Sequence, residues 1–379
     1  MTDCYDVMVV GAGLLGASAA FHSSKHYTTV LVEQESSPGY HSSGRSAAVL
    51  LPPYGGPLAR ALTAASREFL ANPPAGFCDS ALLTPRGALF TAAAGQLDLL
   101  DRWHSASDTS VDTATALTAV QAAERVPILR TERIAGAVLL PEVADLDAAA
   151  LLQGYIKSFR ANGGELFVNA KVTSISRTAG VWEIATHAGV KRAKTLVNAA
   201  GAWADSIAEL AGVAPKGLTP TRRTMAVIKV PDAIDVRSWP LVVDAAETFY
   251  FKPDAGRLVL SPADRTEVQP QDILPDELDV AVAIDRFEAA TTLQVRRIEH
   301  QWAGLRTFTP DEDPLIGFDA DVPEFLWVAG FGGFGVQACE GAGLCCEALL
   351  CHNPLPTRLI DLGLDLERLS PRRLLDRGR

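Results

Sequence analysis

The chain has 379 residues, of which 48% are hydrophobic and 21% are charged, and it carries a formal net charge of −11 at pH 7. Its length and composition are typical of a globular protein with two domains, and its negative charge disfavours nucleic acid or an anionic membrane as a partner. The six cysteines form no C-x-x-C pair and accompany no histidine cluster. We therefore expect reduced, mostly buried thiols and no metal site.

Two apolar stretches resemble targeting or membrane segments only superficially. Residues 7–21 are apolar, but Asp3 and Asp6 precede them and no Lys or Arg does, which is unlike a signal peptide. Residues 325–351 are interrupted by glycines and by Glu340 and Glu347, which is incompatible with a membrane-spanning helix. We expect a cytoplasmic protein with no integral membrane segment.

The chain opens with a predicted dinucleotide-binding unit. An apolar strand at residues 7–10 runs into Gly11, Gly13 and Gly16, which form G-x-G-x-x-G before a helix-prone stretch. The first glycine suits the tight turn, the second a close pyrophosphate and the third close packing of helix on sheet. A second predicted strand ends at Glu33, where a carboxylate binds ribose and disfavours NADP. An adenine dinucleotide is expected; a glycine-rich turn in an ordinary α/β core is the alternative.

Small residues and hydroxyls dominate residues 38–48. A polar surface loop is one interpretation of this segment. The other is a segment that lies along a large flat cofactor, where Ser42 and Ser46 donate to phosphate and Arg45 adds positive charge. Such a loop after the second strand favours a flavin over a nicotinamide cofactor.

Residues 49–142 read as an inserted domain that alternates helices and strands. The pattern predicts a helix over 60–69, a strand over 82–90 with a turn at 85–87, helices over 98–104 and 116–125, and a strand over 136–140.

The next segment returns to the first sheet. Apolar residues at helical spacing predict a helix over 145–161, followed by strands over 165–170, 172–178 and 181–186. Residues 195–205 repeat the order of strand, small turn and helix, so we assign them to the sheet of residues 7–10. Gly201 in that turn is expected to approach the cofactor from the other side.

Residues 214–302 form a second excursion with the pattern of a substrate-side sheet. Strands are predicted over 225–230, 241–243, 249–252 and 257–261, with a covering helix over 276–290. Tyr250 alternates on its strand, so it belongs either to the core or to a pocket wall.

Arg306 stands out because its nearest neighbours are neutral. Such an arginine can bind a carboxylate bidentately; an ion pair with Asp311 or Asp313 is the alternative. The predicted strand at 325–329 then enters a second glycine-rich turn and a helix, whose dipole would stabilise an electron-rich group by less than about 2 kcal/mol. The basic tail after Ser370 is expected to be solvated or loosely docked.

Several longer motifs carry a family resemblance. They are residues 39–48 (GYHSSGRSAA), 61–67, 72–78 (NPPAGFC), 197–204, 302–306 and 369–373. Across nearly its whole length the chain resembles the flavin-dependent D-amino-acid oxidase and glycine oxidase superfamily, and within it the bacterial D-arginine dehydrogenases. The resemblance implies an α/β fold with a Rossmann-like FAD domain (residues 1–48, 143–213 and 303–379). It also implies an α+β substrate domain with a mixed sheet (49–142 and 214–302) and noncovalent FAD.

The resemblance also implies site residues. Arg306 would pair with the substrate carboxylate, with Arg223 nearby and Tyr54 and Tyr250 lining the pocket. Together with the glycine motifs, it makes the following residues candidates for FAD binding: Gly11, Gly13, Leu15, Gly16, Glu33, Gln34, Ser42, Ser43, Gly44, Arg45, Ser46, Ala47, Ala48, Val172, Gly201, Gly332, Gly333, Phe334, Gly335, Val336 and Gln337.

The predicted substrate pocket holds Val49, Ala88 and Gly333, and two of these depart from the D-arginine dehydrogenases. Ala88 stands where those enzymes have a glutamate for the substrate guanidinium, and Val49 stands where they have a histidine. A guanidinium without its partner would be poorly solvated in such a pocket. We therefore expect an apolar D-amino acid rather than D-arginine.

The implied reaction is oxidative deamination, in which hydride passes from Cα to flavin N5 and the amine proton goes to solvent. The imino acid is then hydrolysed, and O₂ or a quinone or dye-type acceptor reoxidises the flavin. The alternatives are oxidation of a secondary amine or imino acid such as sarcosine or proline, oxidation of a 2-hydroxy acid, and a non-catalytic flavin-binding subunit.

Overall fold

The structure of the chain is a computed structural model that describes residues 4–106 and 114–374. Its strands are β1 Tyr5–Val10, β2 Thr29–Val32, β3 Val49–Leu50, β4 Leu83–Pro85, β5 Ala88–Ala92, β6 Thr115–Leu117, β7 Gly136–Leu140, β8 Ala144–Leu146, β9 Glu165–Phe167, β10 Val172–Thr178, β11 Val181–Thr186, β12 Gly189–Asn198, β13 Thr219–Ile228, β14 Leu241–Asp244, β15 Tyr250–Asp254, β16 Arg257–Ser261, β17 Thr266–Glu267, β18 Ile298–Phe308, β19 Leu315–Phe318 and β20 Phe325–Ala329.

The α-helices alternate with these strands. They are α1 Leu14–Ser23, α2 Pro57–Ala71, α3 Asp98–Ala106, α4 Ala119–Arg125, α5 Ala148–Ala161, α6 Ala204–Leu210, α7 Glu277–Ala290, α8 Gly335–Leu350, α9 Thr357–Asp361 and α10 Leu366–Leu369. Short 3-10 helices lie at Ser43–Arg45, Thr131–Arg133, Gly201–Trp203 and Pro371–Leu374.

The first sheet has the Rossmann-like arrangement that the sequence predicts. Its order is β10-β11-β12-β1-β2-β9, with β20 beside β12 and β19 beside β20. β1 runs parallel to both β2 and β12, and β12 runs parallel to β20. Because the apolar strands are covered on both faces, they form two cores, one with Leu14 and Leu31 and the other with Met8 and Trp327. This sheet brings the starts of α1 and α8 to one edge.

The second sheet is mixed and forms the other half of the molecule. Its order is β17-β13-β16-β15-β14-β5-β7-β6, with β18 beside β13. β5 and β14 are parallel, while the neighbours of each are antiparallel. The helix α7 contributes Phe287 to the core on one face, where its ring meets that of Phe251 at 5.2 Å. The opposite face carries the substrate-side residues.

Several predicted element boundaries differ from those of the structure, and three of the differences have a clear local cause. The turn expected at 85–87 in the strand predicted over 82–90 is present at Gly87 (φ 72°), but β4 and β5 on either side of it belong to different sheets. The helix expected from 116 begins at 119, because Thr118 forms a capping box with Gln121. The helix expected from 145 begins at 148, where Asp147 accepts the N–H of Ala150.

The structure differs from the predicted domain boundaries in two places. A boundary at residue 303 would divide β18, whose pairing with β13 continues without interruption to Phe308. The helix α2, assigned to the inserted domain, packs instead against α8, where Leu58 and Leu62 join the core of the first sheet. Apolar burial therefore assigns α2 to the first half and all of β18 to the second.

The C-terminal segment is more firmly attached than predicted. Arg373 donates to both carboxylate oxygens of Asp311 at 3.0 and 3.2 Å and to the Asp313 carbonyl at 2.8 Å. The expectation of a loosely docked end is therefore wrong as far as residue 374, and Arg377 and Arg379 lie outside the described residues.

The cysteines were expected to be mostly buried, and three of the six are. Cys339, Cys345 and Cys346 are buried on α8, whereas the other three cysteines are partly exposed. Among residues 4–106 and 114–374, no helix is long and apolar enough to cross a membrane.

Candidate active site

A cavity of about 410 Å³ opens at the ends of β1 and β2, where the first glycine motif lies. Gly11 adopts φ 99°, and a β-carbon on it would lie 2.5 Å from the carbonyl oxygen of Ala199. A β-carbon on Gly16 would lie 1.8 Å from the carbonyl oxygen of Gly11. The glycines therefore keep α1 close to the sheet and its N-terminus open to the cavity.

Glu33 lies at the end of β2 on the cavity wall. Its Oε2 accepts the N–H of Ala12 at 2.8 Å and its Oε1 accepts the N–H of Glu35 at 3.0 Å. Burial outweighs these hydrogen bonds and raises the pKa of the carboxyl group. Each carboxylate oxygen keeps a further lone pair for a ribose hydroxyl, so the residues fit the adenosine half of FAD.

The loop that follows β2 lies beside the N-terminus of α1. Ser43 accepts the N–H of Leu14 at 3.0 Å, and a β-carbon on Gly13 would lie 3.3 Å from the same hydroxyl. The donor groups at the start of this ten-residue helix thus face a narrow space. That space suits the pyrophosphate of a dinucleotide.

The guanidinium of Arg45, which was expected to add positive charge for phosphate, is bonded to protein groups. It donates to the carbonyls of Ile273 and Ala303 at 3.0 and 3.1 Å, and it pairs with Asp272. Its donors are therefore used to fasten the loop to β18 and its neighbours. Although Arg45 lines the cavity, it does not supply an unpaired positive charge for phosphate.

Most of the predicted cofactor residues line this large cavity. They are Gly11, Gly13, Leu15, Glu33, Gln34, Ser42, Ser43, Arg45, Ser46, Val172, Gly201, Gly332, Gly333, Gly335 and Val336. Sequence reasoning missed several other lining residues, among them His41, Lys171 and Trp203. Each of the three lies close to a predicted cofactor residue, since His41 precedes Ser42, Lys171 precedes Val172 and Trp203 ends the 3-10 helix that begins at Gly201.

Six predicted cofactor residues do not line the large cavity. Gly16 faces the backbone of Gly11, Gly44 faces the carbonyl of Gly39, and Phe334 is buried in the core. Ala47, Ala48 and Gln337 line a second, smaller cavity.

Gln337 has a structural task at the edge of that second cavity. Its Oε1 accepts the N–H of Leu51 at 2.7 Å and its Nε2 donates to the carbonyl of Leu51 at 3.2 Å. The start of α8 is thereby fastened to the segment that carries Tyr54.

The second cavity has a volume of about 120 Å³ and adjoins the first at Arg223, Arg306 and Gly333, which line both. Its floor is one face of the second sheet. Pairing aligns Thr221 with Arg306 and Arg223 with Gly304, so both arginines project from this face on adjacent strands. They meet where the cofactor cavity ends.

The two arginines create a positively charged corner. Arg223 donates through Nε to the Asp264 carbonyl at 2.7 Å, while the nearest carboxylate oxygen of Asp264 is 3.9 Å away. Burial and then the like charge of Arg306 lower the pKa of Arg223, but a guanidinium stays protonated. Within the described part of the chain, Arg306 forms no ion pair, and Asp311 pairs with Arg373 instead. The corner can therefore accept an anion.

The second glycine turn and two tyrosines complete this corner. The position of a β-carbon on Gly333 lies 2.7 Å from Nη1 of Arg306 and 2.9 Å from the Tyr54 hydroxyl. Tyr250 lines the cavity and lies 3.5 Å from the sulfur of Met225 through its hydroxyl. Tyr250 therefore forms part of the wall of the second cavity.

The far wall of the second cavity differs from the predicted one. Val49 lines it as expected, but Ala88 does not, because Ala88 is fully buried in a core with Leu140 and Leu241. Phe90, two residues further along the same face of β5, lines the cavity instead. Sequence reasoning also missed Trp103, Leu241, Val243 and Glu247, which come from α3, β14 and the turn after β14.

Comparisons with known proteins bear on this arrangement. The DAO family model, for FAD dependent oxidoreductases, matches residues 6–348. Mouse (Mus musculus) dimethylglycine dehydrogenase is 25% identical over 260 residues, which are 63% of this chain and 30% of the mouse enzyme. The chain thus spans less than a third of that relative's length.

Two glycine oxidases match over almost their full length. The enzyme from Bacillus licheniformis is 23% identical over 375 residues, covering 94% of this chain and 96% of the relative. The crystal structure of the enzyme from Geobacillus kaustophilus superposes with a TM-score of 0.84 at 22% identity, covering 97% of this chain and 98% of that one.

Proposed function

Because the chain belongs to the DAO family of FAD dependent oxidoreductases, we propose that it oxidises the Cα–N bond of an amino acid whose carboxylate binds Arg306. Family membership confirms the predicted FAD cofactor and the α/β fold. That the chain acts on amine or amino-acid CH–NH donors is part of our proposal, and its similarity to a glycine oxidase supports it. Its specificity for D-amino acids and its closeness to the D-arginine dehydrogenases are part of our proposal.

The observation that carries the proposal is the charged corner between the two cavities. Arg306 makes no ion pair within the described residues, and it lies beside Arg223 and Gly333. An unpaired guanidinium on a cavity wall binds a carboxylate through two parallel hydrogen bonds. The substrate carboxylate would be held there, next to the turn at the start of α8.

Each group in this corner has a defined task. Arg306 fixes the carboxylate and so the position of Cα, which is an orientation effect. Tyr54 and Tyr250 orient the substrate and exclude water. When bound, FAD would supply the two-electron acceptor that oxidation at Cα requires. The amine loses its proton to solvent, and water hydrolyses the imino acid to a keto acid and ammonia.

The proposal also covers how FAD is held, where the two domains divide, which acceptor reoxidises the flavin and where the protein is located. FAD would be held noncovalently by the start of α1, Glu33 and the turn at Gly332 and Gly333. The FAD and substrate domains would follow the predicted segments, with α2 moved to the first and β18 to the second. O₂ or a quinone or dye-type acceptor would reoxidise the flavin, and the free cysteines are consistent with the proposed cytoplasmic location.

A second candidate function is oxidation of an N-alkylated amino acid. The similarity to mouse dimethylglycine dehydrogenase favours it, and the same arginine could bind the carboxylate of sarcosine or proline. A 2-hydroxy acid would differ only in the heteroatom on Cα.

The test is reduction of the flavin under anaerobic conditions. The yellow protein would be mixed with D-Leu, D-Met, D-Phe, D-Arg, their L-forms, sarcosine, proline and two 2-hydroxy acids. Rapid bleaching by apolar D-amino acids is expected, with D-Arg slow. Bleaching only by sarcosine and proline would select the second candidate, and bleaching only by hydroxy acids would contradict both.

Arg306→Met tests the carboxylate-binding role. It should slow bleaching by about 10- to 100-fold at low substrate concentration, because a charge-assisted hydrogen bond is lost. Arg297→Met makes the same change at an exposed position on the approach to β18 and should leave the rate unchanged. Normal reduction of the Arg306 variant would refute the proposal.

A further inference from the structure

A buried carboxylate lies behind the charged corner without lining either cavity. Asp264 comes just after β16, and its side chain is only 5% exposed. Its Oδ1 accepts the N–H of Thr224 at 2.7 Å, and its Oδ2 accepts the Thr224 hydroxyl at 3.0 Å. Oδ1 also lies 3.9 Å from Nε of Arg223, which is one of the two arginines in the corner. The charge of Asp264 is therefore close to a group that faces the substrate.

The main chain of Asp264 holds Arg223 in place. The preceding residue, Ala263, lines the second cavity and adopts φ 54°, a left-handed conformation that is unfavourable for a residue with a β-carbon. Its N–H donates to the Ser261 hydroxyl at 3.2 Å, which fixes the turn. The Asp264 carbonyl accepts from Nε of Arg223 at 2.7 Å. This contact does not depend on the charge of the Asp264 side chain.

The Asp264 carboxylate is left to offset the charge of Arg223. Its other neighbour is Arg222, whose Nε is 3.8 Å from Oδ2 of Asp264. Arg222 already pairs with Asp279 at 2.8 Å and with Asp276 at 3.3 Å. Burial raises the pKa of the Asp264 carboxyl, but its backbone hydrogen bond and the charge of Arg223 oppose that shift and favour the carboxylate.

We propose that Asp264 is a positioning residue for Arg223 that also limits how tightly the corner binds a carboxylate. This inference rests on the proposed function. Arg223 and Arg306 carry two positive charges and Asp264 one negative charge, so a single substrate carboxylate neutralises the group. Without Asp264 the corner would attract a carboxylate more strongly, because charges in a buried site are weakly screened. The keto acid product has the same carboxylate as the substrate, so a corner of limited affinity favours its release.

Asp264→Asn removes the charge and keeps the geometry. An amide can accept the Thr224 N–H through its oxygen and donate to the Thr224 hydroxyl through its nitrogen. The probe is 4-methylpentanoate, which has the carbon skeleton of leucine without the amine and cannot be oxidised at a Cα–N bond. Its dissociation constant for the FAD-loaded protein would be measured by calorimetry at low ionic strength. We expect the variant to bind the probe about tenfold more tightly than the wild type does.

The direction of this change separates the proposal from a purely structural role. A damaged corner would bind the probe less tightly, whereas loss of the opposing charge should strengthen binding. Asp264→Ser is a second neutral replacement, whose hydroxyl can still accept the Thr224 N–H. It should also tighten binding, and it serves as the test variant if Asp264→Asn does not retain FAD.

Asp279→Asn is the matched control. It removes an acid of the same cluster, which pairs with Arg222 and whose side chain is 20% exposed. Arg222 keeps Asp276 as a partner, so the dissociation constant of the probe should change by less than about twofold. Equal tightening by Asp279→Asn would overturn the inference, because any lost negative charge would then be sufficient.

The outcomes separate this inference from the proposed function. If Asp264→Asn leaves binding of the probe unchanged or weakens it, while Arg306→Met abolishes binding, the inference is wrong and the carboxylate site stands. If Arg306→Met binds the probe as tightly as the wild type does, or if the wild type does not bind it, the carboxylate-binding role of Arg306 fails and the inference fails with it.

Discussion

A β-carbon on Gly333 would lie 2.7 Å from Nη1 of Arg306. No ordinary contact is that short, so an alanine at 333 would displace the guanidinium or the turn. The Tyr54 hydroxyl lies 2.9 Å from the same point and limits how far the guanidinium could move. Gly333→Ala should therefore weaken binding of the substrate carboxylate by tenfold or more, by loss of a charge-assisted hydrogen bond. The measurement is the substrate concentration at half-maximal flavin reduction.

Gly335→Ala is the control for this change. It lies in the same turn, and its β-carbon would approach other atoms no closer than 3.4 Å, at Phe331. Both variants should retain FAD, as judged by the ratio of visible to ultraviolet absorbance. Equal effects of the two changes would show that the turn, rather than the guanidinium, limits binding.

Nη2 of Arg102 donates to Oε1 of Glu247, a residue on the wall of the second cavity, at 2.8 Å, and this pairing leads to a prediction about cationic substrates. Arg102→Met removes a guanidinium whose Cζ lies 4.8 Å from the centroid of the Trp103 ring, and it leaves the Glu247 carboxylate without this partner. A lysine or arginine side chain in the substrate could then supply the missing charge. We expect the rate of flavin reduction by D-Lys and D-Arg, relative to D-Leu, to rise about tenfold.

Arg125→Met removes an exposed arginine from α4 and should leave these ratios unchanged. A fall in the rate with all three substrates would indicate that Arg102 is needed to hold α3 in position. That result would contradict the assigned role of Arg102 in selectivity.

A buried ionic cluster joins α1 to α8 and makes stability depend on pH. His22 contacts Glu347 through Nδ1 at 2.6 Å and Glu340 through Nε2 at 3.1 Å, and the Tyr155 hydroxyl donates to Glu340 at 2.7 Å. Burial would lower the pKa of His22, but its hydrogen bonds to the two carboxylates outweigh burial and raise it. Burial would raise the pKa of Glu347, but bonds to His22 and His26 lower it to about 2.

The directions of these shifts fix the pH profile of stability. The contribution of His22 is complete below pH 6.5 and is lost as the pH rises through its raised pKa in the folded protein. The contribution of Glu347 is complete above pH 4.5 and is lost as the pH falls toward about 2. Thermal unfolding across this range should therefore show Tm falling on both sides.

His22→Ala tests the cluster directly. It leaves two carboxylates without their buried partner and should cost about 3–5 kcal/mol at pH 6. His26→Ala removes a histidine whose side chain is 44% exposed and should cost less than about 1 kcal/mol. Similar losses in urea unfolding for the two variants would contradict the assigned role of His22.

The C-terminal contact offers a test with a neighbouring control. Arg373→Gln leaves the Asp311 carboxylate, which is 5% exposed, without its ion-pair partner. We expect a loss of about 3 kcal/mol in the free energy of unfolding, since an uncompensated buried charge remains. Arg372→Gln changes an exposed arginine one residue earlier and should fall within about 0.5 kcal/mol of the wild type.

Two features of the site could be predicted from residues that are neighbours in the sequence. The glycine spacing at Gly11 and Gly16 reports a backbone approach that any larger residue would block. The neutral surroundings of Arg306 indicated an unpaired guanidinium. Both features are properties of a few consecutive residues.

Contacts between distant segments could not be predicted in this way. Asp272 lies 227 residues from Arg45 and uses the charge that the loop seemed to offer to phosphate. Glu247 lies 145 residues from Arg102, so the acid in the cavity and its partner have no common local signal. The family resemblance placed Ala88 in the pocket, but alternation along β5 puts Ala88 and Phe90 on one face without showing which of them reaches the cavity, and it is Phe90 that does.

The strand β18 reaches from the substrate sheet to the turn that precedes α8. The N–H of Gly332 donates to the Thr307 carbonyl at 2.8 Å, and Phe308 forms a bridge with Phe331. Arg306 is thus one peptide unit from a backbone hydrogen bond to the cofactor turn. The backbone therefore fixes the position of Arg306 relative to the cofactor turn. Substitutions on the cavity walls can therefore change which side chain is accepted without altering where Cα is presented.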